Sequence, residues 1–275
     1  MPLTNVQADP ELIRLHFAPG TRAGRVRWAL EEIGVPYQLS VVNLRWGAHK
    51  GKDYLKIHPL GKVPALEIDS TIICESLGIC LYLADRFVHA DLAPVVSDRK
   101  RRADYCTWMA FSAGTLEPAI FEQVRAKKAK QRGIASTGLG PALTPFDNVA
   151  SYMEHHLAER PFLLGDRITA ADIMNGSMMA WAQDIGLLEG RASIPAWVDN
   201  LKTRPAYSRA MQRHFRAGCR PSRLSIADDD RAVIPRTNED TGVIPPHQSG
   251  HRGQSPRTNE DTGGNPPAPI RGHRG

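Results

Sequence analysis

The chain has 275 residues, a hydrophobic content of 41% and a formal net charge of +6 at neutral pH, which is enough chain for one large or two modest domains. Basic residues are mixed with acidic ones except in the runs 99–102 and 127–132, which we interpret as solvated helix faces, so we expect no nucleic acid partner. No apolar stretch approaches the roughly 18 to 20 residues that span a bilayer, and the N-terminus lacks a basic segment followed by an apolar one; we therefore expect a cytoplasmic protein with no membrane partner.

The cysteines argue against a disulfide-stabilised protein and against a cysteine-based metal site. Four are present, at positions 74, 80, 106 and 219, and no two of them have the spacing of a paired metal-ligand or redox motif. The sequence therefore predicts a reduced compartment, no disulfide framework and no bound metal.

Residues 12–87 alternate between strand and helix patterns. Residues 25–33 have the apolar spacing of a helix, which ends at Gly34. The strands on either side of it are predicted to be parallel, joined by a right-handed crossover. In chain order the pattern predicts a strand at 12–17, the helix at 25–33, a strand at 37–42, a polar segment at 47–58, two strands at 63–68 and 71–73 around a two-residue turn, and a helix at 75–87. The last helix is apolar nearly all round, so we expect it to be buried on two sides.

Beyond residue 91 the strand signal disappears, and the chain is predicted to be all helical. The clearest local signal is a capping box, in which Thr169 caps an amide three residues on, Asp172 bonds back, and Ile168 packs on Ile173. This box predicts where a core helix starts. The predicted helices cover residues 99–132, 145–159, 169–185, 195–202 and 207–215.

Residues 218–275 have a different composition. They contain 8 Gly and 8 Pro among 58 residues, and the sequence of 235–242 returns at 256–263 with few apolar residues to bury. Such a segment is typical of disordered chain, so we predict a disordered, repetitive tail.

Three motifs follow one another along the chain: VPAL at 63–66, ESLGI at 75–79 and FLLGDRITAAD at 162–172. In this order they resemble the motifs of the cytosolic, bacterial-type glutathione S-transferases. The resemblance implies an α/β thioredoxin-like N-terminal domain at 10–90 that binds glutathione, and an all-helical C-terminal domain at 97–217 that binds an electrophile. It also implies glutathione as the co-substrate and a homodimer.

The resemblance assigns two of these motifs to glutathione. The family's proline in the position of Pro64 is cis, and the N–H and C=O of Val63 would pair with the cysteinyl backbone of the tripeptide; the alternative is a proline that merely begins an edge strand. Ser76, at a helix N-terminus, would hold the γ-glutamyl carboxylate, and Glu75 would face the α-ammonium group. A simple N-terminal cap is the alternative for this second pair, and both roles are compatible.

Two further glutathione contacts follow from the same resemblance. A cation on the loop after the second strand would hold the glycyl carboxylate; His49 matches a histidine of some classes, with Lys50, Lys52 and Lys62 as alternatives. Asp104 resembles an acidic residue that reaches the γ-glutamyl group bound to the partner subunit.

The thiol-activating group is implied to lie at residues 20–24, where the classes of the family have Tyr, Ser or Cys. This segment contains none of the three, and its one hydroxyl belongs to Thr21. We predict that Thr21 donates a hydrogen bond to the thiolate and that Arg22 adds positive charge. The alternative is that Thr21 only caps the helix, while backbone amides or Arg22 orient the thiol. The missing cysteine argues against mixed-disulfide chemistry with glutathione.

The electrophile is implied to lie between the domains, over the helix that begins near residue 99. Tyr105, Trp108 and Ser112 are the candidates for its wall, although aromatic residues at this spacing are also typical of ordinary core.

Three functions are compatible with these residues. The first is conjugation of the glutathione thiolate to hydrophobic electrophilic small molecules. The second keeps the glutathione site but catalyses isomerisation, peroxide reduction or dehalogenation. The third is a transferase-like binding protein without catalysis, which the missing Tyr, Ser or Cys favours and the retained glutathione motifs disfavour.

Overall fold

The N-terminal part of the chain folds into a four-stranded sheet with helices. The computed structural model describes residues 12–133 and 144–211. The elements of this part are β1 (Arg14–Phe17), α1 (Ala23–Ile33), β2 (Gln38–Val41), a 3₁₀ turn (Ala48–Lys50), α2 (Lys52–Ile57), β3 (Ala65–Ile68), β4 (Thr71–Cys74) and α3 (Ser76–Arg86). A second 3₁₀ turn, Val88–Ala90, follows α3.

The sheet has the strand order β2-β1-β3-β4. The predicted parallel pair is confirmed, with Leu15 beside Leu39, and β3 runs antiparallel to both β1 and β4. Asp69 and Ser70 form the two-residue turn between β3 and β4, both with positive φ, as the tight turns of twisted hairpins require. This is the predicted thioredoxin-like arrangement.

Helix α3 is buried on one side rather than two. Ile79, Cys80 and Leu83 are fully buried, but Leu77 and Leu81 remain partly exposed. The prediction of burial on two sides was therefore wrong for this helix. Helices α1 and α7 (Ala170–Asp184) pack against the face that is buried.

The C-terminal part is helical, as predicted. It comprises α4 (Arg99–Phe111), a π-helical segment (Ser112–Leu116), α5 (Glu117–Gln131), α6 (Phe146–Leu157), α7, α8 (Ser193–Lys202) and α9 (Pro205–Met211). Helix α8 begins two residues before the predicted start. The remainder of the predicted helix at 207–215, and the whole of the predicted disordered tail at 218–275, lie outside the described residues, and the predicted domain boundaries stay predictions.

The predicted helix at 99–132 is interrupted by the π-helical segment. Pro118 occupies the first turn after it, and a proline within a helix cannot donate its backbone hydrogen bond and crowds the carbonyl one turn back. In this wider turn the backbone amide of Glu117 donates a hydrogen bond to the carbonyl of Ser112, five residues earlier. Asn175 of α7 supports this region by donating a hydrogen bond to the carbonyl of Trp108 at 3.0 Å.

The capping box is confirmed. The backbone amide and the hydroxyl of Thr169 donate to Asp172 at 2.8 and 2.9 Å, and Asp172 also accepts the amide of Leu163 at 2.7 Å. Asp172 is fully buried. Burial raises the pKa of Asp172 to about 6, against the hydrogen bonds that favour its ionised form.

One continuous core joins the sheet to the helices. Trp28 of α1 lies within it and meets Tyr207 of α9 edge to face at 4.9 Å. Arg204 donates two hydrogen bonds of 2.7 Å to the two carboxylate oxygens of Glu32. These contacts fix α1, and with it the loop that precedes it, against the helical part. None of the helices within the described ranges has the length and hydropathy needed to cross a membrane.

Candidate active site

The strand pairing brings three segments to one edge of the sheet. Ala65 pairs with Cys74 on one side and with His16 on the other. The residues just before β3, those just after β4 and those just after β1 are therefore neighbours. These are the segments that contain Val63, Glu75 and Thr21, which the sequence predicted as one site.

The loop before β3 presents backbone rather than side chain. The peptide bond between Val63 and Pro64 is cis; Pro64 is buried and Val63 is half-buried. Neither the amide nor the carbonyl of Val63 bonds to another residue of the described ranges. Tyr54 of α2 donates to the carbonyl of Lys62 at 2.6 Å. The loop is thus held in place while the polar backbone of Val63 stays available to a ligand.

Glu75 has a strained backbone directly before α3. Its φ is +66°, a value that residues other than glycine rarely adopt. Glu75 is exposed, whereas Ser76, the first residue of α3, is buried. The unpaired amides at the start of α3 favour a negative charge. Strain of this kind costs about 1–3 kcal/mol and concentrates at binding sites.

The predicted cations lie on the neighbouring loop. A Cβ atom added at Gly61 would come 2.5 Å from the carbonyl oxygen of His49, so His49 lies close beside the chain that leads into Val63. The Nδ1 atom of His49 is buried without a partner in the described part of the protein. Lys50 donates to the carbonyl of Leu60 at 3.2 Å, while Lys62 is exposed. His49 and Lys62 are therefore both near this edge of the sheet, and the ammonium group of Lys50 is engaged by the segment after α2.

The hydroxyl of Thr21 already has two partners. It donates to the carbonyl of Ala18 at 2.7 Å and accepts the amide of Ala23 at 3.2 Å. This is the arrangement of a capping hydroxyl. To donate to a thiolate, Thr21 would have to exchange the carbonyl of Ala18 for the sulfur.

Arg22 extends from the start of α1 to α5. Its Nε donates to Glu117 Oε1 at 2.8 Å, and half of its side chain is exposed. Its guanidinium carbon lies 5.3 Å from the centre of the Phe121 ring. The hydrogen bond to Glu117 and the charges of Glu117 and Glu75 raise the pKa of Arg22. Arg22 therefore carries a fixed positive charge beside the start of α1.

Arg25 is a buried residue next to the candidate site that the sequence did not reveal. Its side chain is 3% exposed, and its Nη2 donates to the same Glu117 Oε1 at 3.0 Å. Burial lowers the pKa of Arg25, and the charge of Glu117 opposes that effect. An arginine among apolar residues on a predicted helix looks like a solvent-facing position, and its partner lies 92 residues away in the sequence.

Glu117, in the first turn of α5, bonds to both Arg22 and Arg25. Burial by itself would raise the pKa of this carboxyl, but the hydrogen bonds and charges of Arg22 and Arg25 outweigh burial and lower it. The π-helical segment ends at Leu116, directly before Glu117, so its wider turn sets the direction in which the Glu117 side chain points. The Glu-Pro pair at 117–118 is the local signal for this break.

The three residues predicted for the electrophile wall lie in the core. Tyr105 and Ser112 have no exposed surface, and Trp108 is 3% exposed. Burial raises the pKa of the Tyr105 hydroxyl. The structure therefore does not bring Tyr105 or Ser112 together with Thr21 at a surface.

Trp108 also lines a cavity of about 230 Å³ between α4, α6 and the segment that follows α6. The exposed Asp104 lines this cavity, as do Tyr152 and His156. The ring of Trp108 stacks on Tyr152 at 5.5 Å. Asp104 and Trp108 thus share one cavity, which is lined by residues of α4, of α6 and of the segment 160–165, and by neither Thr21 nor Arg22.

An aromatic pair that the sequence did not single out lies beside Arg22. Phe121 of α5 and Trp181 of α7 have ring centres 5.3 Å apart, and 36% of Phe121 is exposed. Phe121 follows Glu117 by one helical turn, so the two side chains share a face of α5. This pair, and not Tyr105 or Ser112, is the apolar surface next to the start of α1.

Comparison with known proteins identifies the family to which the sequence and the fold belong. The family model described as "Glutathione S-transferase, N-terminal domain" matches residues 21–86. Glutathione S-transferase theta-2 of Homo sapiens is 32% identical over 179 residues, which cover 60% of this chain and 69% of that protein. The crystal structure of a glutathione transferase from Methylococcus capsulatus matches with a TM-score of 0.61 and 28% identity over 73% of this chain and 97% of that one. A sphingomonad glutathione S-transferase complexed with glutathione matches with a TM-score of 0.59 and 25% identity over 72% and 96% of the two chains. The chain belongs to the glutathione S-transferase family.

Proposed function

We propose that the protein binds glutathione as a thiolate and conjugates it to hydrophobic electrophilic small molecules. The observation that carries this proposal is the convergence of Val63, Glu75 and the start of α1 at one edge of the sheet. The sphingomonad relative, which is complexed with glutathione, supports glutathione as the ligand.

Each part of glutathione would have a matching group at this edge. The free backbone N–H and C=O of Val63 would pair with the cysteinyl backbone of the tripeptide. The start of α3 at Ser76 would accept the γ-glutamyl carboxylate, and Glu75 would face the adjacent ammonium group. His49 or Lys62 would take the glycyl carboxylate. In a homodimer, Asp104 of one subunit would reach the γ-glutamyl group bound to the other.

Activation of the thiol requires more than the start of one helix. Lowering a thiol pKa by two units corresponds to roughly 2.7 kcal/mol of preferential thiolate stabilisation. A helix N-terminus typically supplies about 0.3–1 kcal/mol, and a hydrogen bond to a charged acceptor about 1.5–3 kcal/mol. Thr21 would supply the larger contribution once its hydroxyl turns from Ala18 to the sulfur, with the positive charge of Arg22 beside it.

The chemical step needs no metal from the protein. The thiolate sulfur forms a bond to the electrophilic carbon, the leaving group departs with the electron pair of the bond that breaks, and the thiol proton passes to solvent. The side chains contribute thiol activation and positioning. Phe121 and Trp181 are the apolar surface against which the electrophile would lie.

A second candidate function is a glutathione-binding protein without catalysis. The engagement of the Thr21 hydroxyl by Ala18 favours this alternative. Isomerase, peroxidase and dehalogenase reactions would use the same thiolate, and no contact within the described residues favours one of them.

The test is a calorimetric titration of glutathione into the protein and into Thr21→Ala, at neutral pH, in two buffers of different ionisation enthalpy. We expect both proteins to bind glutathione, and the wild type alone to release a proton. Conjugation of glutathione to 1-chloro-2,4-dinitrobenzene is then measured for both proteins. Binding and proton release without conjugation would favour the binding protein, and no binding at millimolar glutathione would contradict both functions.

A further inference from the structure

Two arginines share one carboxylate oxygen where α1 meets α5. Glu117 Oε1 accepts from Arg22 and Arg25 at 2.8 and 3.0 Å. Two positive charges and one negative charge leave an excess of one positive charge. Because Arg25 is buried and Arg22 is half exposed, Arg22 presents that excess at the surface. A further acidic group that acts on Arg22 is Glu75, which faces the ammonium group of glutathione in the proposed complex.

The guanidinium of Arg22 is held by one edge only. Its Nε is bonded to Glu117, while its two Nη groups have no partner in the ranges that the structure describes. Two Nη groups of one guanidinium form a planar fork that matches the two oxygens of a carboxylate. Glu117 therefore orients Arg22 and leaves a carboxylate-binding edge free.

An aromatic surface lies directly beside this fork. The Arg22 guanidinium carbon is 5.3 Å from the centre of the Phe121 ring, and Phe121 in turn contacts Trp181. We name Arg22, Phe121 and Trp181 the arginine–aromatic patch. A planar aromatic molecule against Phe121 and Trp181 would place an anionic substituent within reach of the free Nη groups.

We infer that the arginine–aromatic patch selects aromatic electrophiles that bear a carboxylate. Arg22 binds the carboxylate through its Nη groups, Glu117 is the positioning residue for Arg22, and Phe121 and Trp181 support the ring. This inference rests on the proposed function and names the substrate class of the same site. Arg22 is thereby a specificity-determining residue as well as a positive charge near the thiol.

The experiment compares two substrates that differ in one group, 4-chloro-3-nitrobenzoate and 4-chloro-3-nitrobenzamide. In each, the glutathione sulfur bonds to the ring carbon that bears chlorine, and chloride leaves with the electron pair of the C–Cl bond. We define the selectivity as the ratio of kcat/KM for the acid to kcat/KM for the amide, divided by the ratio of the rate constants of the two uncatalysed reactions. We expect this selectivity to be at least tenfold in the wild type, because the charge-assisted fork contact is available to the acid alone.

Variants of this patch distinguish the two-pronged contact of the Arg22 Nη groups from the effect of the positive charge alone. Arg22→Gln is expected to abolish the selectivity, and Arg22→Lys, which keeps the charge but loses the fork, to retain only part of it. Glu117→Gln is expected to reduce the selectivity by releasing Arg22. Arg125→Gln is the matched control, because Arg125 is an exposed cation one turn beyond Phe121 on the same helix and its loss should leave the selectivity unchanged.

A second readout does not depend on the reaction. Titration calorimetry of the glutathione-bound protein with 3-nitrobenzoate and 3-nitrobenzamide, which have no leaving group, should show tighter binding of the acid and loss of that difference in Arg22→Gln. If the protein conjugates both substrates with a selectivity near one, the inference fails and the proposed function stands. An equal loss of selectivity in Arg125→Gln also overturns the inference. If neither substrate reacts and glutathione does not bind, the proposed function itself fails.

Discussion

Glu117 Oε1 lies 3.0 Å from Nη2 of Arg25, in an ion pair whose arginine is almost completely buried. The pair joins α1, which precedes the second strand of the sheet, to α5 of the helical part. The same oxygen accepts Arg22. One carboxylate thus has a structural partner on one side and a partner at the candidate active site on the other.

The ion pairs of Glu117 with Arg25 and with Arg22 should contribute unequally to the stability of the fold. We expect Glu117→Ala to lower the free energy of unfolding by about 3–5 kcal/mol, because it leaves the buried charge of Arg25 without a partner. Arg22→Ala, which removes a half-exposed partner of the same carboxylate, should cost no more than about 1 kcal/mol. Urea unfolding of the two variants measures both values, and equal losses would contradict the assignment of Arg25 as the structural partner.

Two acidic groups should affect the pH dependence of stability with opposite signs. The pKa of Glu117 is lowered in the folded protein, so its contribution is complete above its unfolded pKa near 4.5 and is lost as the pH falls through the lower folded value. The pKa of Asp172 is raised from 3.8 to about 6. The folded protein therefore holds the Asp172 proton more tightly than the unfolded chain does, and stability decreases as the pH rises from about 4 to 6.

Variants of the two acids separate these effects. Glu117→Gln should flatten the loss of stability below pH 4.5, and Asp172→Asn should remove the decrease between pH 4 and 6, although both are less stable than the wild type. Urea unfolding at half-unit pH intervals measures the slopes. If Asp172→Asn keeps the wild-type slope between pH 4 and 6, Asp172 is ionised throughout that range.

The contrast between Asp172 and Glu117 shows which features the sequence could predict. The capping box of Asp172 and Thr169 was predicted because its donors and acceptors lie within four residues, so the local sequence determines the contact. The α/β pattern of the first part was predictable for the same reason, since the period of the apolar residues follows the strand or helix on which they lie.

The ion pair of Arg25 and Glu117 was not predictable, because the two residues become neighbours only when α1 packs against the helical part. The burial of Tyr105 and Ser112 depends in the same way on how α4 packs. An aromatic and polar stripe on one helix is compatible with a pocket wall or with core, and the packing of the neighbouring helices decides between them. The resemblance predicts the candidate glutathione segments, whereas the surface proposed for the electrophile follows only from the packing of the helices.

Gly61 should be required both for stability and for glutathione binding. It has a φ of +57°, and a Cβ atom there would come 2.5 Å from the carbonyl oxygen of His49. Gly133 has a similar φ of +64°, and no atom of the described residues lies within 4 Å of a Cβ atom added there, so Gly133→Ala measures mainly the backbone cost. We expect Gly133→Ala to cost about 1 kcal/mol and Gly61→Ala to cost clearly more.

Gly61→Ala should also weaken glutathione binding, because the clash moves the loop of His49 away from the chain that leads into Val63. Thermal unfolding and glutathione titration measure the two effects. If Gly61→Ala and Gly133→Ala have equal stability and equal affinity for glutathione, the close packing of this loop has no role in the site.

Glu75 should show a conflict between stability and binding. Its φ of +66° is unfavourable for a residue with a side chain, and glycine, which has no Cβ atom, adopts a positive φ at lower steric cost. We expect Glu75→Gly to raise the free energy of unfolding by up to about 1 kcal/mol, in spite of the entropy that glycine adds to the unfolded chain. The same variant should lose at least tenfold in glutathione affinity, because it removes the carboxylate proposed to face the ammonium group.

Two controls make this result specific to Glu75. Asp91 also has a positive φ, of 52°, and pairs with Arg167 at the surface; Asp91→Gly should therefore change stability without changing glutathione affinity. Glu75→Gln keeps the side chain and the strain but removes the charge, so it should lose affinity and gain no stability. If Glu75→Gly and Glu75→Gln bind glutathione as tightly as the wild type, the strain at this position serves the fold of the turn into α3, and the ammonium group of glutathione is held elsewhere.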